Sequence, residues 1–134
     1  MYLGGLTSQL SPEPILAAAE TYSGRVIDLD RSLVVDPATL ARGRAVLAEQ
    51  MRQQGLAAGD RAVMAVGNGP LFVASLLAIL ECGGSPLVVH ADTPPAELRR
   101  TALRYGARFL LSDGQPVEDL ETVAVAATMI AHDD

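Results

Sequence analysis

The sequence predicts an α/β fold with three layers, in which helices cover both faces of a mostly parallel sheet. Strand-like and helix-like segments alternate in βαβαβ order between residues 61 and 111, and short loops join them. Two of the strands, PLVV and FLL, are apolar without interruption, which is typical of parallel strands buried on both faces. The helix between the first two strands, LFVASLLAIL, is apolar nearly all round and therefore belongs in the interior of a larger body.

The composition is that of a globular protein and argues against several partners. Of the 134 residues, 49% are hydrophobic. The formal net charge of −6 argues against nucleic acid or an anionic membrane as a partner. No apolar run reaches the roughly 18 residues of a membrane-spanning helix. A single cysteine indicates a reducing, cytoplasmic location.

We expect one domain over residues 1–134. Residues 1–24 hold proline turns and a short helix near 15–19. Residues 25–36, RVIDLDRSLVVD, alternate apolar and polar side chains around Asp30-Arg31-Ser32, which predicts a small hairpin. Residues 37–113 form a helix plus the βαβαβ core. The tail, 114–134, begins with a turn and short helix at 116–120, and its run ETVAVAATMIA fits either a strand or a helix.

The first long helix begins with Asp36 at the N-cap and Pro37 at the first helical position, and Gly55 ends it. Three apolar residues recur at helical spacing and predict one buried face: Leu40, Leu47 and Met51. The charged residues fall largely elsewhere and are expected to form a solvated surface: Arg42, Arg44, Glu49 and Arg52.

The core that follows has five predicted segments. They are a strand at 61–66, a helix at 70–82, a strand at 86–89, a helix to about Tyr105 and a strand at 108–111. Gly83-Gly84 stops the first of these helices. Thr93 caps the second, with Pro94 at its first position.

The turn VGNGP, which ends at Pro70, joins a strand to a helix, as phosphate-binding loops do. It lacks the third glycine of a dinucleotide loop, because Phe72 stands there. The chain has no lysine, which excludes the lysine-containing phosphate loop and Schiff-base chemistry. Pro70 also lacks the N–H group that an anion would use. We therefore expect a helix start capped by Asn68 or Gly69.

Two clusters of polar residues invite a site interpretation. His90, Asp92 and Glu97 lie together in VVHADTPPAEL, which suggests a metal or acid–base site. A capped turn with a solvated histidine fits them better, although loops after parallel strands are where α/β sheets bind ligands. The arginines at 100, 104 and 108 are compatible with a phosphate site, and a solvated helix face is the better interpretation.

No nucleophile, base and orienting group can be assembled from the sequence. Cys82 lies in the apolar helix and is expected to pack there without reacting. A domain of this size leaves some of its apolar surface uncovered, so we expect that surface to meet a partner or the rest of a longer chain.

An ordered set of motifs between Leu40 and Asp113 resembles the N-terminal region of the adenylate-forming superfamily. This superfamily comprises acyl-CoA synthetases, aryl-CoA ligases and the adenylation domains of nonribosomal peptide synthetases. The motifs are Gly59-Asp60-Arg61, NGPLF from Asn68 to Phe72, LLAILECG from Leu76 to Gly83, TPPAEL from Thr93 to Leu98 and GARFLLSD from Gly106 to Asp113. The preceding VIDLDRSLVVDPATLA is similar to the family's hairpin and helix start.

The resemblance implies an N-terminal fragment or truncated homologue of an acyl-activating ligase, cut before the phosphate loop and inactive by itself. The chain then holds no catalytic and no metal-binding residue, and ATP, Mg²⁺ and CoA are implied only for the complete enzyme. His90, Ala91 and Asp92 are the candidates for a loop on the CoA side. The implied partner is the remainder of such an enzyme or a carrier protein.

Two other functions stay open at this point. A free-standing, non-catalytic α/β module would act in interaction or scaffolding, as a homodimer through its exposed apolar surface. A small nucleotide binder of the Rossmann kind is a further alternative, against which the VGNGP turn counts.

Overall fold

Two short strands form a hairpin, as the alternating pattern predicts. In the computed structural model, which describes residues 15–16, 26–28, 33–114 and 116–125, β1 (Val26–Asp28) pairs antiparallel with β2 (Leu33–Val35). Of the short helix expected near 15–19, only Ile15 and Leu16 are described, and both are helical. The rest of that helix and residues 126–134 lie outside the described residues.

The first long helix, α1 (Pro37–Gln53), begins as the sequence predicts. The Asp36 carboxylate accepts the backbone N–H of Thr39 at 2.8 Å, and this hydrogen bond lowers the pKa of Asp36 below its ordinary value. Gly55 follows the helix with a φ of 98°, a conformation that suits glycine. The buried face contains the three predicted residues and two small ones: Leu40, Gly43, Leu47, Ala48 and Met51.

Among the described residues, four parallel strands form the main sheet, in the order β4-β3-β5-β6. They are β3 (Arg61–Ala65), β4 (Ser85–Val88), β5 (Phe109–Ser112) and β6 (Glu121–Ala124). Two helices connect the first three strands, α2 (Pro70–Glu81) and α3 (Pro95–Tyr105). The α/β class and its βαβαβ core are therefore confirmed, with element ends within a residue or two of those predicted.

The run ETVAVAATMIA, for which a strand and a helix were both open, begins with a strand, because residues 121–124 pair in parallel with β5. Of the turn and short helix expected at 116–120, the turn is confirmed and the helix is wrong. The Val117 N–H donates to Thr122 Oγ1 at 3.3 Å, and Thr122 Oγ1 also donates to Leu120 O at 3.4 Å. These local bonds compete with a helical turn.

The two faces of the sheet pack against different helices, which gives the predicted three layers. Alternate side chains of β3 point to opposite faces. Ala62 and Met64 belong to a core formed with α1 and α2. Val63 and Ala65 belong to a second core formed with Leu98 of α3 and its neighbours. The described helices include none long and apolar enough to cross a membrane.

An ion-pair cluster joins α1 to α2 at the end of the second helix. Arg44 Nε lies 2.7 Å from Glu81 Oε1, and Arg52 lies 3.2 Å from Glu81 Oε2. The Arg44 side chain is only 12% exposed, so its assignment to the solvated surface is wrong. Helical spacing placed Arg44 off the apolar face, but the neighbouring helix covers that position.

The family-like motif Gly59-Asp60-Arg61 and the helix stop Gly83-Gly84 lie at the edge where the strands begin, and their contacts there are structural. The Asp60 carboxylate accepts the Ala57 N–H at 2.8 Å, and the Asp60 carbonyl accepts the Ser85 N–H at 2.8 Å. A further backbone bond of 2.9 Å joins the Gly59 N–H to the Gly83 carbonyl. These three hydrogen bonds hold the loop before β3 against the loop before β4, and we call this set of contacts the corner.

Candidate functional site

The carboxyl ends of the four strands meet at one edge of the sheet, and this edge is the candidate site. Parallel α/β sheets bind ligands there, at the point where successive connections leave in opposite directions. The connection after β3 leads to β4 on one side of the sheet, and the connection after β5 leads to β6 on the other side. The point where the direction changes therefore lies between β3 and β5. The loop after β3 begins at Val66, and the loop after β5 begins at Asp113.

The VGNGP turn after β3 is a helix start, and Gly69 is its N-cap residue. Gly69 has a φ of 133° and makes no side-chain cap bond, and its carbonyl accepts the Val73 N–H at 3.2 Å. Pro70 occupies the first helical position. A nucleotide phosphate does not fit these residues, because the turn offers no lysine, no N–H on Pro70 and a phenyl ring at Phe72 beside it.

A cleft of about 220 Å³ lies at the same edge but one strand away from that point, between the loops that follow β3 and β4. Its walls are largely apolar, with an amide and an imidazole among them: Val66, Gly67, Asn68, Phe72, Val88, Val89, His90 and Ala91. Complete small-molecule sites usually enclose roughly 300–1,000 Å³. The cleft is therefore large enough for part of a ligand only, which suits a surface completed by other residues.

The loop after β4 holds His90 in a tight turn. Asp92 N–H donates to His90 Nδ1 at 3.1 Å, so the neutral ring carries its proton on Nε2. The His90 carbonyl accepts both the N–H of Thr93, at 3.1 Å, and its hydroxyl, at 2.6 Å. His90 and Asp92 side chains are 79% and 92% exposed, and His90 Nδ1 lies 3.8 Å from Asp92 Oδ2. This confirms a solvated histidine in a turn.

Two details of that loop differ from expectation. His90 and Ala91 line the cleft, whereas Asp92 is not among its lining residues. Thr93 was expected to cap α3, but its hydroxyl bonds backward to His90 and makes no cap bond. The N-cap position falls on Pro94 instead, and Pro95 is the first helical residue. The expectation was wrong because a Thr-Pro-Pro run offers two prolines that suit the first position.

Asn68 and Phe72 are lining residues that sequence reasoning missed as part of a site. The sequence places them in the helix start and in the family-like motif NGPLF, since VGNGP does not match a phosphate loop. The sequence signals them only in part: loops that follow paired parallel strands come together, but the pairing of β3 with β4 is set by the fold.

The arginines at 100, 104 and 108 do not converge on one point, so they make no phosphate site. Arg108 lies 3.3 Å from Asp60, at the opposite edge of the sheet. Arg100 lies 3.9 Å from Glu97, and the Arg104 guanidinium lies 5.6 Å from the Tyr105 ring centroid. The interpretation as surface residues is the one that the geometry supports. Within the described ranges, no three metal-ligating side chains are grouped.

Cys82 lies at the C-cap of α2 and packs against α1. Its thiol donates to the Ala48 carbonyl at an Sγ to O distance of 3.6 Å. Burial raises the pKa of the Cys82 thiol, which reduces the thiolate fraction at neutral pH. These contacts support the expected packing role.

Comparisons with known proteins agree with this fold. A family model described as AMP-binding enzyme matches residues 38–134. The chain is 24% identical over 119 residues to a naringenin synthase of Pestalotiopsis fici, a match that covers 89% of this chain and 4% of that protein.

Solved structures of two other proteins are similar in fold. The N-terminal subdomain of Klebsiella oxytoca NpsA, in complex with 3-hydroxybenzoyl-AMSN, superimposes with a TM-score of 0.68 at 21% identity, covering 90% of this chain and 31% of that one. NpsA has also been solved as an artificially fused adenylation–PCP di-domain with ThdA, with a TM-score of 0.68 at 21% identity over 87% of this chain and 23% of that one. The O-succinylbenzoate coenzyme A synthetase MenE of Bacillus subtilis, in complex with AMP, gives 0.66 at 20% identity, over 88% of this chain and 32% of that one.

The chain thus spans about a third of the NpsA subdomain and a small part of the curated relative. The four parallel strands and three long helices of the described residues correspond to the N-terminal subdomain of adenylate-forming enzymes. Because the family model covers more than two thirds of the sequence, the chain belongs to the AMP-binding enzyme family, the adenylate-forming enzymes that its motifs resemble.

Proposed function

We propose that this chain is the opening layer of an acyl-activating ligase, as a fragment or truncated homologue. The complete enzyme joins a carboxylic acid to ATP, releases pyrophosphate and holds an acyl-adenylate, then passes the acyl group to a thiol of CoA or of a carrier protein. The observation that carries this proposal is the family match over residues 38–134, on a fold that covers about a third of an adenylation subdomain.

The chain contributes a scaffold to that reaction and no catalytic group. In support, its strands and helices bury two apolar cores, while the turn after β3 does not suit a nucleotide phosphate. ATP, Mg²⁺ and CoA are therefore bound by the complete enzyme, and the chain alone is inactive in adenylation.

The loop of His90, Ala91 and Asp92 faces the thiol acceptor in this proposal. His90 and Ala91 border the apolar cleft, and both His90 and Asp92 are well exposed at the ligand-binding edge of the sheet. With Nδ1 engaged by the Asp92 N–H, Nε2–H of His90 is available as a hydrogen-bond donor to that acceptor.

Residues 1–134 then act as part of one domain, and its partner is the rest of the enzyme or a carrier protein, in a cytoplasm that suits its single cysteine. The NpsA fusion with a PCP domain supports a carrier protein as the second partner. A homodimer that serves as a scaffold is the rival.

The experiment is ATP–pyrophosphate exchange with a panel of carboxylic acids. It is run on the chain alone and on the chain mixed with the polypeptide encoded next to it. Exchange only in the mixture supports the proposal. Exchange by the chain alone refutes it, and a dimeric chain that is inactive in both conditions favours the scaffold.

A further inference from the structure

Helix α3 differs in charge from the rest of the molecule. Its sequence, PAELRRTALRY, contains three arginines and one glutamate, which gives +2 in a chain whose net charge is −6. Only two residues of α3 are buried against the sheet, Leu98 and Ala102. Most of α3 therefore faces away from the sheet.

The outward face of α3 combines an apolar side chain with basic ones. Leu103 is 69% exposed, more than the other large exposed hydrophobic residues of the described chain, Ile15 and Val46. Arg100 precedes it by one turn and Arg104 follows it directly. The side chains of this one helix border a shallow, open groove, and the residues that line it are Glu97, Arg100, Thr101, Leu103 and Arg104.

Among the described residues, the two groove arginines make weak contacts. Arg100 pairs with Glu97 at 3.9 Å, and their side chains are 74% and 55% exposed, so water screens this pair. Arg104 lies over the Tyr105 ring, a contact that leaves the guanidinium able to bind a carboxylate partner. The third arginine of the helix, Arg99, is engaged by Asp119 and does not line the groove.

We propose that this outward face of α3 docks an acidic amphipathic helix of a partner protein. Arg100 and Arg104 are one helical turn apart, so carboxylates at i and i+4 spacing on the partner meet both guanidinium groups. Leu103 then packs against an apolar side chain between those carboxylates. Arginine is enriched at the buried centre of interfaces, and an apolar contact beside it helps to exclude water.

Charge complementarity selects this occupant. If a second copy met this face with its own α3, two helices that each carry a net charge of +2 would lie against each other and repel. An acidic helix is attracted to the same face. The inference concerns binding only, and its failure leaves the proposed ligase relationship untouched.

The test uses the full chain and a stapled helical peptide that carries glutamates at i and i+4 around one leucine. Amide chemical shifts in NMR report the site, and fluorescence anisotropy gives the affinity. We expect saturable binding, with shifts confined to α3 and its neighbours, that weakens as salt is raised. Arg104→Glu should weaken binding about tenfold, and Leu103→Ser about fivefold.

Arg42→Glu is the matched control, because it makes the same charge change at an exposed position on α1. It should leave the affinity within about twofold of the wild type. Equal binding of a peptide with lysines for glutamates, equal loss in Arg42→Glu, or no saturable binding overturns the proposal. So does a dimer that dissociates in Arg104→Glu, because a second copy is then the occupant.

Discussion

Alanine substitutions at four glycines test the corner that joins the loops before β3 and β4. Gly83 and Gly84 belong to this corner, and Gly67 and Gly106 lie elsewhere and serve for comparison. Replacing Gly84 with alanine places a Cβ 3.1 Å from Ile79 Cγ2 and 3.2 Å from the Asp60 carbonyl oxygen. Neither neighbour moves easily, because Ile79 is fully buried and the Asp60 carbonyl accepts the Ser85 N–H. Overpacking of this kind costs about 1–3 kcal/mol.

The other three glycines separate this steric cost from backbone strain. Gly106 has a φ of 68° and open space where an alanine Cβ would lie, so alanine there costs about 1 kcal/mol for the left-handed backbone alone. Gly83 has a φ of 80°, and an alanine Cβ there would lie 3.0 Å from Ala58 Cβ, so both costs apply and sum to about 2–4 kcal/mol. Gly67 has neither a left-handed backbone nor a close neighbour, so Gly67→Ala should leave the free energy of unfolding nearly unchanged.

Urea and thermal unfolding of the four alanine variants measure these differences. The expected order of destabilisation is Gly83, then Gly84, then Gly106, then Gly67, and each kcal/mol lowers the Tm by about 3–5 °C at this chain length. A Gly67→Ala variant as unstable as Gly84→Ala would refute the reasoning. A Gly83→Ala variant more stable than Gly106→Ala would also refute it.

Four further variants test three other features of the structure. Asp36 has a folded-state pKa below its ordinary value of 3.8, so its stabilising effect is present above that pH and is lost as the pH falls through the lower folded value. Asp36→Asn, which still caps the helix, should therefore flatten the stability profile below about pH 4 in acid unfolding. Ser75 Oγ is buried without a hydrogen-bond partner among the described residues, so Ser75→Ala should be neutral or stabilising by about 1 kcal/mol in urea unfolding, and a clear loss would contradict this. Arg44→Met should cost about 1–2 kcal/mol and Arg52→Met under about 1, because the Arg44 side chain is 12% exposed and that of Arg52 is 47% exposed; equal losses would contradict this burial argument.

Local signals in the sequence predicted most of the fold. Asp36 and Pro37 define the start of α1 because capping chemistry acts over a few residues. Uninterrupted apolar runs predicted strands covered on both faces, and both cores bear this out. The start of α3 was displaced by one residue, since two consecutive prolines suit the same position and Thr93 bonds backward to His90.

Features that depend on the third dimension were not predictable in this way. The burial of Arg44 depends on Glu81, which lies 37 positions away in the sequence. The strand β6 is specified by its pairing with β5, whereas its short apolar run fits a helix equally well. The cleft beside His90 needs the loop after β3 as its second wall, and only the order of strands in the sheet brings the two loops together.

The most direct test of the central claim is titration of the isolated chain with ATP and Mg²⁺, followed by NMR. The claim is that this chain is the first layer of an adenylate-forming enzyme and that its VGNGP turn holds no phosphate. We predict no saturable shift of the Gly67, Asn68 or Gly69 amides. Saturable shifts at these amides, with binding that depends on Mg²⁺, would contradict the account.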